Sequence, residues 1–445
     1  MHELVENAVN EFKKLKNDPL RVISHLDCDG LTSAGIMVNI LKRENKKFVL
    51  SIVKQLNEKI IEELSLENYN TIIFTDLGSG YIHLIKKYLN NKIIFIFDHH
   101  IVENAKKYDN IIHVNPHLAK DKENFINISG SGIAYFFAKK LNEINKDLAY
   151  LAVIGVIGDM QDFTNFNKEI LDDAISEGKI FVKYGLKMFG SQTKPLNKIL
   201  QYSTDPFIPG VTGDEQGTFE FLSSTGINFM QDGKIKRIID LNEDELKKLT
   251  TAIILRRLGS EKNPEDIFGN IYLLKDEFED GLKDAREFST LLNCCGRLNK
   301  PSIGIGVCLD SFELKQKANE LLKQYKQELI NGLNWFHSNK DKLTKKDNFI
   351  VINAEDKIRD TLIGTITSII SRSNVYQNGT ILIGMAYTLD NNIKISMREC
   401  NTNNNDLAEI LKNFVNEKGE VGGHKQAAGA LISLEHEQEF INNIK

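Results

Sequence analysis

Cysteine is scarce in this chain, with five residues (Cys28, Cys294, Cys295, Cys308 and Cys400) among 445. None falls in the paired spacing of a zinc site, and so few thiolates argue against an iron–sulfur centre. This usage fits a reducing, cytoplasmic setting. No stretch approaches the roughly 20 apolar residues of a membrane span, and the amino terminus shows no signal-peptide apolar region. Surplus positive charge is missing too. Lys and Arg number 56 against 61 Asp and Glu, for a net charge of −5. That balance argues against a long, non-specific footprint on DNA, which depends on clustered cations releasing counterions. Local basic runs such as Lys13-Lys14-Leu15-Lys16 read as solvated helix faces. The rest is ordinary globular composition, 41% hydrophobic and 26% charged, and the length calls for two or three domains.

What the chain does contain is a charged cluster where a core should end. The apolar run Ile93-Ile94-Phe95-Ile96-Phe97 reads as a buried strand and leads directly into Asp98-His99-His100. Such groups are costly beside a core unless paired or bound to metal. Two further runs behave alike. Arg21-Val22-Ile23-Ser24 leads into His25-Leu26-Asp27-Cys28-Asp29-Gly30, and Thr71-Ile72-Ile73-Phe74-Thr75 leads into Asp76-Leu77-Gly78. Each is followed by a glycine turn or a helix-like stretch, so the alternation is β-α-β with a parallel sheet. Open parallel sheets hold their ligands at the carboxyl edge. A fourth carboxylate, Asp159, follows the apolar helix-like stretch 148–157 and Gly158.

A lone Asp at a strand end is most often a helix cap or a turn former. Four such segments in order, each closing an apolar stretch, point instead to one metal centre. Carboxylates mixed with imidazoles suit Mn²⁺, Mg²⁺ or Zn²⁺. Six or more ligands exceed the needs of one ion, and two ions need a carboxylate between them. Asp76, alone on the middle strand end, is the candidate bridge. Alternation in His25-x-Asp27-x-Asp29 would send all three side chains one way if the segment stays extended.

Residues 1–20 read as a lead-in helix closed by Asp18-Pro19, and Ile111-Ile112-His113-Val114 reads as another strand. Ser129-Gly130-Ser131-Gly132 opens a helix whose first N–H groups suit either a phosphate or simple capping and tight packing. A first domain is expected over 1–190. From 191 to 309 the pattern changes to proline-containing loops and a polar stretch with an amphipathic helix over 241–257, read as a linker or inserted subdomain. Asp310-Ser311-Phe312-Glu313 has the form of a capping box for a connecting helix over 310–340. A smaller α/β domain over 341–445 follows, with strands at 349–352, 380–386 and 393–397.

His25-x-Asp27-x-Asp29-Gly30, Asp76, Asp98-His99-His100 and Gly158-Asp159 resemble, in order, the four motifs of the DHH phosphoesterase superfamily. Val421-Gly422-Gly423-His424 resembles the signature of the DHH-associated C-terminal domain, with Val421 where the first glycine usually stands. Asp205-Pro206-Phe207-Ile208-Pro209-Gly210 and the segment 287–293 resemble archaeal RecJ-like nucleases of the GINS-associated type. The resemblance implies an α/β fold with a parallel-sheet DHH domain, a smaller C-terminal domain and an active site in the cleft between them. It implies two Mn²⁺ or Mg²⁺ ions. His25, Asp27 and Asp76 would serve one, and Asp29, Asp76, His99 and Asp159 the other. His100 would contact the phosphate or the leaving group, and Asp98 would orient its neighbours. Arg398 and Ser396 on one strand, with Gly422, Gly423 and His424, would bind substrate.

The expected activity is hydrolysis of single-stranded DNA or RNA in replication or repair. Two alternatives accompany it: a phosphodiesterase for short oligonucleotides or cyclic dinucleotides, and a scaffold that binds GINS at the replicative helicase.

Overall fold

Five apolar runs alternating with helices build the first sheet. Strands β1 (Leu20–His25), β2 (Phe48–Val53), β3 (Thr71–Thr75), β4 (Ile93–Phe97) and β5 (Ile111–Val114) lie in the order β2-β1-β3-β4-β5, all parallel. Helices α2 (Cys28–Arg43), α3 (Glu58–Leu66) and α4 (Ile82–Tyr88) connect strands, while α1 (His2–Lys13) precedes the sheet and α5 (Gly130–Leu141) follows it. One sheet face sends Ile23, Phe74 and Ile96 into a core with Ile61 of α3 and Ile85 of α4. On the other, Phe95 and Phe97 meet Phe12 of α1 and Phe137 of α5. Covering both faces is what makes these strands read as unbroken apolar runs. Between β2 and β3 the chain crosses back over β1, and this reversal opens a crevice at the carboxyl ends of β1 and β3.

This computed structural model describes residues 1–102, 106, 108–119, 127–203, 206–258, 263–277, 281–373, 375–402, 404–416 and 418–444, with His424 described through its backbone. Asp205 lies outside the described residues. The chain divides into two compact units, Met1–Leu322 and Lys323–Lys445. Helix α1 stops at Lys13, short of the expected Asp18-Pro19. A residue before proline is pushed out of the helical region, and Asn17-Asp18 favours a turn.

Helix α6 (Ala149–Gly158) is apolar on every side because it packs beneath α2, α5 and α7 (Asn165–Ser176). An antiparallel ribbon of β6 (Ile180–Leu186) with a later strand then leads to a second core. This core gathers Leu200 of α8 (Leu196–Gln201), Phe221 of α9 (Glu215–Ser224) and Leu249 of α10 (Glu243–Arg257). A short hairpin of β7 (Met230–Gln231) and β8 (Lys234–Ile235) projects beside it. The ribbon partner is β9 (Phe268–Leu274). The chain then returns, with α11 (Ala285–Arg297) on α2 and α6 and α12 (Pro301–Cys308) on α2.

Helix α13 (Phe312–Asn339) runs through the boundary at Leu322. The second unit is a six-stranded sheet of β10 (Thr344–Lys346), β11 (Phe349–Asn353), β12 (Ile381–Tyr387), β13 (Asn392–Glu399), β14 (Gly419–His424) and β15 (Ala427–Ser433). Its order is β10-β11-β12-β13-β15-β14, parallel only at β11–β12. Helix α14 (Asp360–Arg372) covers β12 and β13 on one face. On the other, α15 (Leu407–Val415) and α16 (Glu437–Asn443) close a core around Ile383, Ile395 and Met397. Among the described residues no helix is long and apolar enough to cross a membrane.

Candidate metal centre

Strand β1 ends at His25 and α2 begins at Cys28, so the segment does not stay extended as the alternation assumed. Asp27 is the N-cap of α2, its Oδ1 accepting from the Gly30 N–H at 3.0 Å. Its Oδ2 lies 2.9 Å from His25 Nδ1. Asp29, in the first turn of α2, accepts from the N–H groups of Gly130 (2.7 Å) and Ser131 (2.9 Å). These are donors the sequence left open to a phosphate. The N-terminus of α5 is instead filled by a carboxylate of the same chain, as its dipole favours, while Ser129 caps Gly132 N–H at 3.0 Å.

Asp76 follows β3 in the left-handed region at φ 58°, its N–H continuing the ladder to Phe97 O at 2.8 Å. It is 2% exposed and stands between the two halves of the cluster. Oδ2 is 3.7 Å from His25 Nδ1, and Oδ1 is 3.4 Å from His99 Nε2. His99 Nε2 also lies 3.9 Å from Asp29 Oδ2 and 3.8 Å from Asp159 Oδ2. Three sets able to hold a cation result: His25, Asp27 and Asp76; Asp29, His99 and Asp159; and Asp76, His99 and His100. Gly130 is obligatory here, since a Cβ on it would lie 2.6 Å from Asp76 Oδ1.

Asp98 is fully buried and takes four donors. Ser79 N–H binds Oδ2 at 2.8 Å; His99 N–H (2.8 Å), His100 N–H (3.2 Å) and His100 Nδ1 (2.7 Å) bind Oδ1. It fixes the triplet's backbone and the His100 ring. Burial opposes its ionisation, but His100, His99 and the Ser79 N–H hold it well below the usual carboxylate range. Behind it, Asn115 Nδ2 donates to Ser79 Oγ (2.8 Å) and to His100 O (2.9 Å). The Ser79 hydroxyl in turn lies 2.9 Å from His113 Nε2, within hydrogen-bond reach.

Burial pulls the His113 pKa down to about 4. A histidine shifted this way stabilises the fold above its ordinary value of about 6.5, and that contribution is lost as pH falls toward 4. Between those pH values the wild type is expected to lose up to about 3 kcal/mol more stability than His113→Gln, at about 1.36 kcal/mol per pH unit. Parallel pH profiles of urea unfolding for the two proteins would contradict this.

In the second unit, Arg398 and Ser396 share one face of β13. Across the sheet Arg398 stands level with Ala427 and His424, and Ser396 with Gly429 and Gly422. The Arg398 guanidinium donates to Met397 O at 2.8 Å. Ser396 is buried, and a Cβ on Gly364 of α14 would lie 2.9 Å from its Oγ. Gly422 is exposed with open space beside it. Gly423 takes φ 123°, where a Cβ would lie 2.4 Å from Ala427 O, so only glycine fits. The His424 side chain lies outside the described residues.

Family models match the chain in three stretches: the DHH family N-terminal domain over 19–156, the DHH-CID domain over 188–268 and the DHHA1 domain over 347–445. An uncharacterized protein of Methanocaldococcus jannaschii is 32% identical across 99% of this chain and 96% of its own length. The chain belongs to the DHH family. Solved structures share its RecJ-like fold. RecJ of Thermus thermophilus in complex with Mn²⁺ has a TM-score of 0.62 at 15% identity, covering 99% of this chain, which spans 54% of that protein. An exonuclease RecJ bound to manganese gives 0.60 at 16% identity, covering 99% of this chain and 92% of that one. CDC45 of Entamoeba histolytica gives 0.65 at 14% identity, with 99% and 97% covered.

The residues of this DHH-family centre fit a divalent cation. Asp76 Oδ1 is buried without a hydrogen-bond partner, and a desolvated carboxylate oxygen is costly unless a cation meets it. Octahedral ligands at 2.0–2.1 Å from Mg²⁺ sit roughly 3 to 4 Å apart, the range of the His25, Asp76, His99 and Asp159 separations. His25 Nε2 meets Lys54 O at 3.2 Å. A carbonyl only accepts, so Nε2 donates there and Nδ1 faces the carboxylates, free to turn a lone pair to a cation that displaces its proton.

Charge in the centre is uncompensated by the protein alone. Burial disfavours protonation of His25, yet Asp27 and Asp76 raise it well above its ordinary value. Burial acts likewise on His99, and Asp76, Asp159 and Asp29 push it up to about 10. Asp29 is raised by burial and by like-charged Asp76 and Asp159. Such a cluster retains protons that a bound cation would displace.

Sequence reasoning missed Gln161. Its Nε2 donates to Asp159 Oδ2 at 2.6 Å and lies 3.5 Å from His99 Nδ1, while its Oε1 accepts from buried Asn167 at 2.9 Å. Gln161→Ala is expected to weaken Mn²⁺ binding 10–100-fold by calorimetry, the usual loss when a partner that orients metal ligands is removed. Unchanged affinity would refute that role. Asn293 gains a role as well: its Oδ1 accepts from Cys28 N–H at 3.0 Å, so α11 props the loop carrying Asp27. A polar residue closing a strand or helix beside a ligand was the available signal for Ser79, Asn115 and Gln161.

Proposed function

We propose that this DHH-family chain is a metal-dependent exonuclease of the RecJ-like kind, hydrolysing phosphodiester bonds of single-stranded DNA or RNA in replication or repair. The observation that supports this most is the complete ligand set around the orphaned Asp76 Oδ1. His25, Asp27 and Asp76 would hold one ion, and Asp29, Asp76, His99 and Asp159 a second. When bound, Mn²⁺ or Mg²⁺ supplies Lewis-acid stabilisation of the phosphoryl oxygens and lowers the pKa of water.

The chain's own residues do the positioning. Asp29, pinned on α5, and Asp159, pinned by Gln161, keep their carboxylates in place. His100 is 46% exposed with Nδ1 committed to Asp98, which leaves Nε2 for a phosphate oxygen or the leaving group. Arg398 would grip a phosphate with its planar fork. Gly422 and Gly423 would let the backbone approach an anion, with His424 and Ser396 completing that set.

End-labelled DNA and RNA ladders incubated with Mn²⁺ or Mg²⁺ test the reading. Stepwise shortening from one end, abolished by chelation, is expected. Intact ladders across metals, with copurification of GINS, would favour a scaffold, a reading that the fold shared with CDC45 keeps relevant. Cleavage confined to dinucleotides would move the substrate to short oligonucleotides.

A further inference from the structure

Four residues past Asp159, the Phe163 ring lies 4.6 Å from Tyr272 of β9. In the β6–β9 ribbon, Val182 stands opposite Tyr272, Tyr184 opposite Asn270, and Leu186 opposite Phe268. Opposed residues of an antiparallel pair share a face, as do alternate residues of one strand. Tyr272, Tyr184 and Phe268 therefore line one face, with Phe163 laid against its end. The Tyr184 and Phe268 rings stack at 6.1 Å and 15°. Tyr184 is 70% exposed, Phe163 is partly exposed, Phe268 is partly exposed with its inner side packed on the second core beside buried Leu186, and Tyr272 is buried. The middle of β6, Phe181 to Tyr184, is exposed throughout. Tyr184 thus offers an open aromatic face flanked by the partly open rings of Phe163 and Phe268, and an amphipathic ring held in the open beside others is suited to binding.

The Phe163 end of this row is tied to the segment that carries Asp159. Asn167 Nδ2 donates both to Gln161, which holds Asp159, and to Asp162 O at 3.2 Å, which fixes the approach to Phe163. Four residues separate Asp159 from Phe163, at most about 14 Å of chain. From Tyr272 to Phe268 the strand covers about 13 Å more. Arg286, partly exposed at the start of α11, sits near Tyr272; burial raises that phenol's pKa, and the Asn270 side chain and, less, the Arg286 guanidinium oppose the rise.

We propose that Phe163, Tyr184 and Phe268, joined by Tyr272, form a stacking track for the bases of a single-stranded nucleic acid, with Arg286 meeting a backbone phosphate. The inference rests on the phosphodiesterase reading and narrows it to a strand several nucleotides long. Every base offers a π face, so such a track is sequence-tolerant. It also gains its hold without a dense basic surface, which suits a chain of net charge −5.

Full-length Tyr184→Ala and Tyr184→Phe test it, with a phosphorothioate-protected 20-mer for anisotropy in Mn²⁺ and unmodified 20-mer and dinucleotide for kinetics. Stacking is worth about 1–3 kcal/mol per base, so Tyr184→Ala should bind the 20-mer about tenfold more weakly. The ratio of kcat/KM for 20-mer over dinucleotide should fall by a similar factor, and Tyr184→Phe should keep both. Wild-type binding and an unchanged ratio in Tyr184→Ala, with hydrolysis intact, overturn the track and leave the phosphodiesterase reading standing. Tyr184-dependent binding by a chain that hydrolyses neither substrate supports the track and overturns that reading.

Discussion

Asp76→Ala is expected to lose Mn²⁺-dependent hydrolysis of single-stranded DNA by about a thousandfold or more. Asp76 faces His25 with one oxygen and His99 with the other, so its loss opens both halves of the centre. Metal-ion catalysis is worth several kcal/mol of transition-state stabilisation, and each 1.36 kcal/mol is roughly tenfold in rate. A second readout separates binding from chemistry. At about 100 times Kd, Mn²⁺ should stabilise the wild type by about 2.7 kcal/mol, whereas Asp76→Ala should melt at nearly the same temperature with and without the ion. Full activity in the variant would sink the proposed centre.

Gly155→Ala is expected to destabilise the fold by about 2 kcal/mol or more and to abolish the Mn²⁺-induced rise in melting temperature. Gly155 lies within α6, where alanine is normally favoured by about 1 kcal/mol. Here a Cβ would lie 2.0 Å from Ser131 Oγ, 2.5 Å from Thr32 Oγ1 and 2.6 Å from Asp29 Oδ1. None of the three yields easily. Ser131 Oγ bonds Ser129 Oγ, Thr32 Oγ1 bonds Cys28 O, and Asp29 is pinned by two backbone N–H groups. Overpacking a dense core typically costs about 1–3 kcal/mol, and here it also displaces Asp29, one of the proposed metal ligands. Chemical denaturation of the variant at or above wild-type stability would contradict this.

The clustering of these carboxylates and imidazoles was legible because its signal is local. β1, β3 and β4 are short apolar runs buried on both faces, and the polar residues that close them have no reason to be there unless paired or ligating. Asp76 and His99 converge because parallel strands deliver their carboxyl ends to one edge, where Asp159 arrives from the C-terminus of α6. Partners distant in sequence were not legible. Nothing near Ser129-Gly130 shows that Asp29, a hundred residues upstream, occupies that helix terminus. The helical start at Cys28 was hidden by the period-two spacing of His25, Asp27 and Asp29, which extended backbone and an N-capped helix both satisfy. Strand β6 went unread because its partner β9 comes some eighty residues later, and neither strand shows a clean alternation. The segment 287–293 stood out by resemblance; its physical role, Asn293 on the Cys28 N–H, required the packing of α11 on α2.

Anomalous scattering at the manganese edge, from crystals of the full chain grown with Mn²⁺, tests the central claim most directly. Two peaks are expected, one beside His25, Asp27 and Asp76 and the other beside Asp29, His99 and Asp159, with Asp76 contacting both. Peaks confined to surface carboxylates elsewhere, with these side chains unmoved and unliganded, would contradict it.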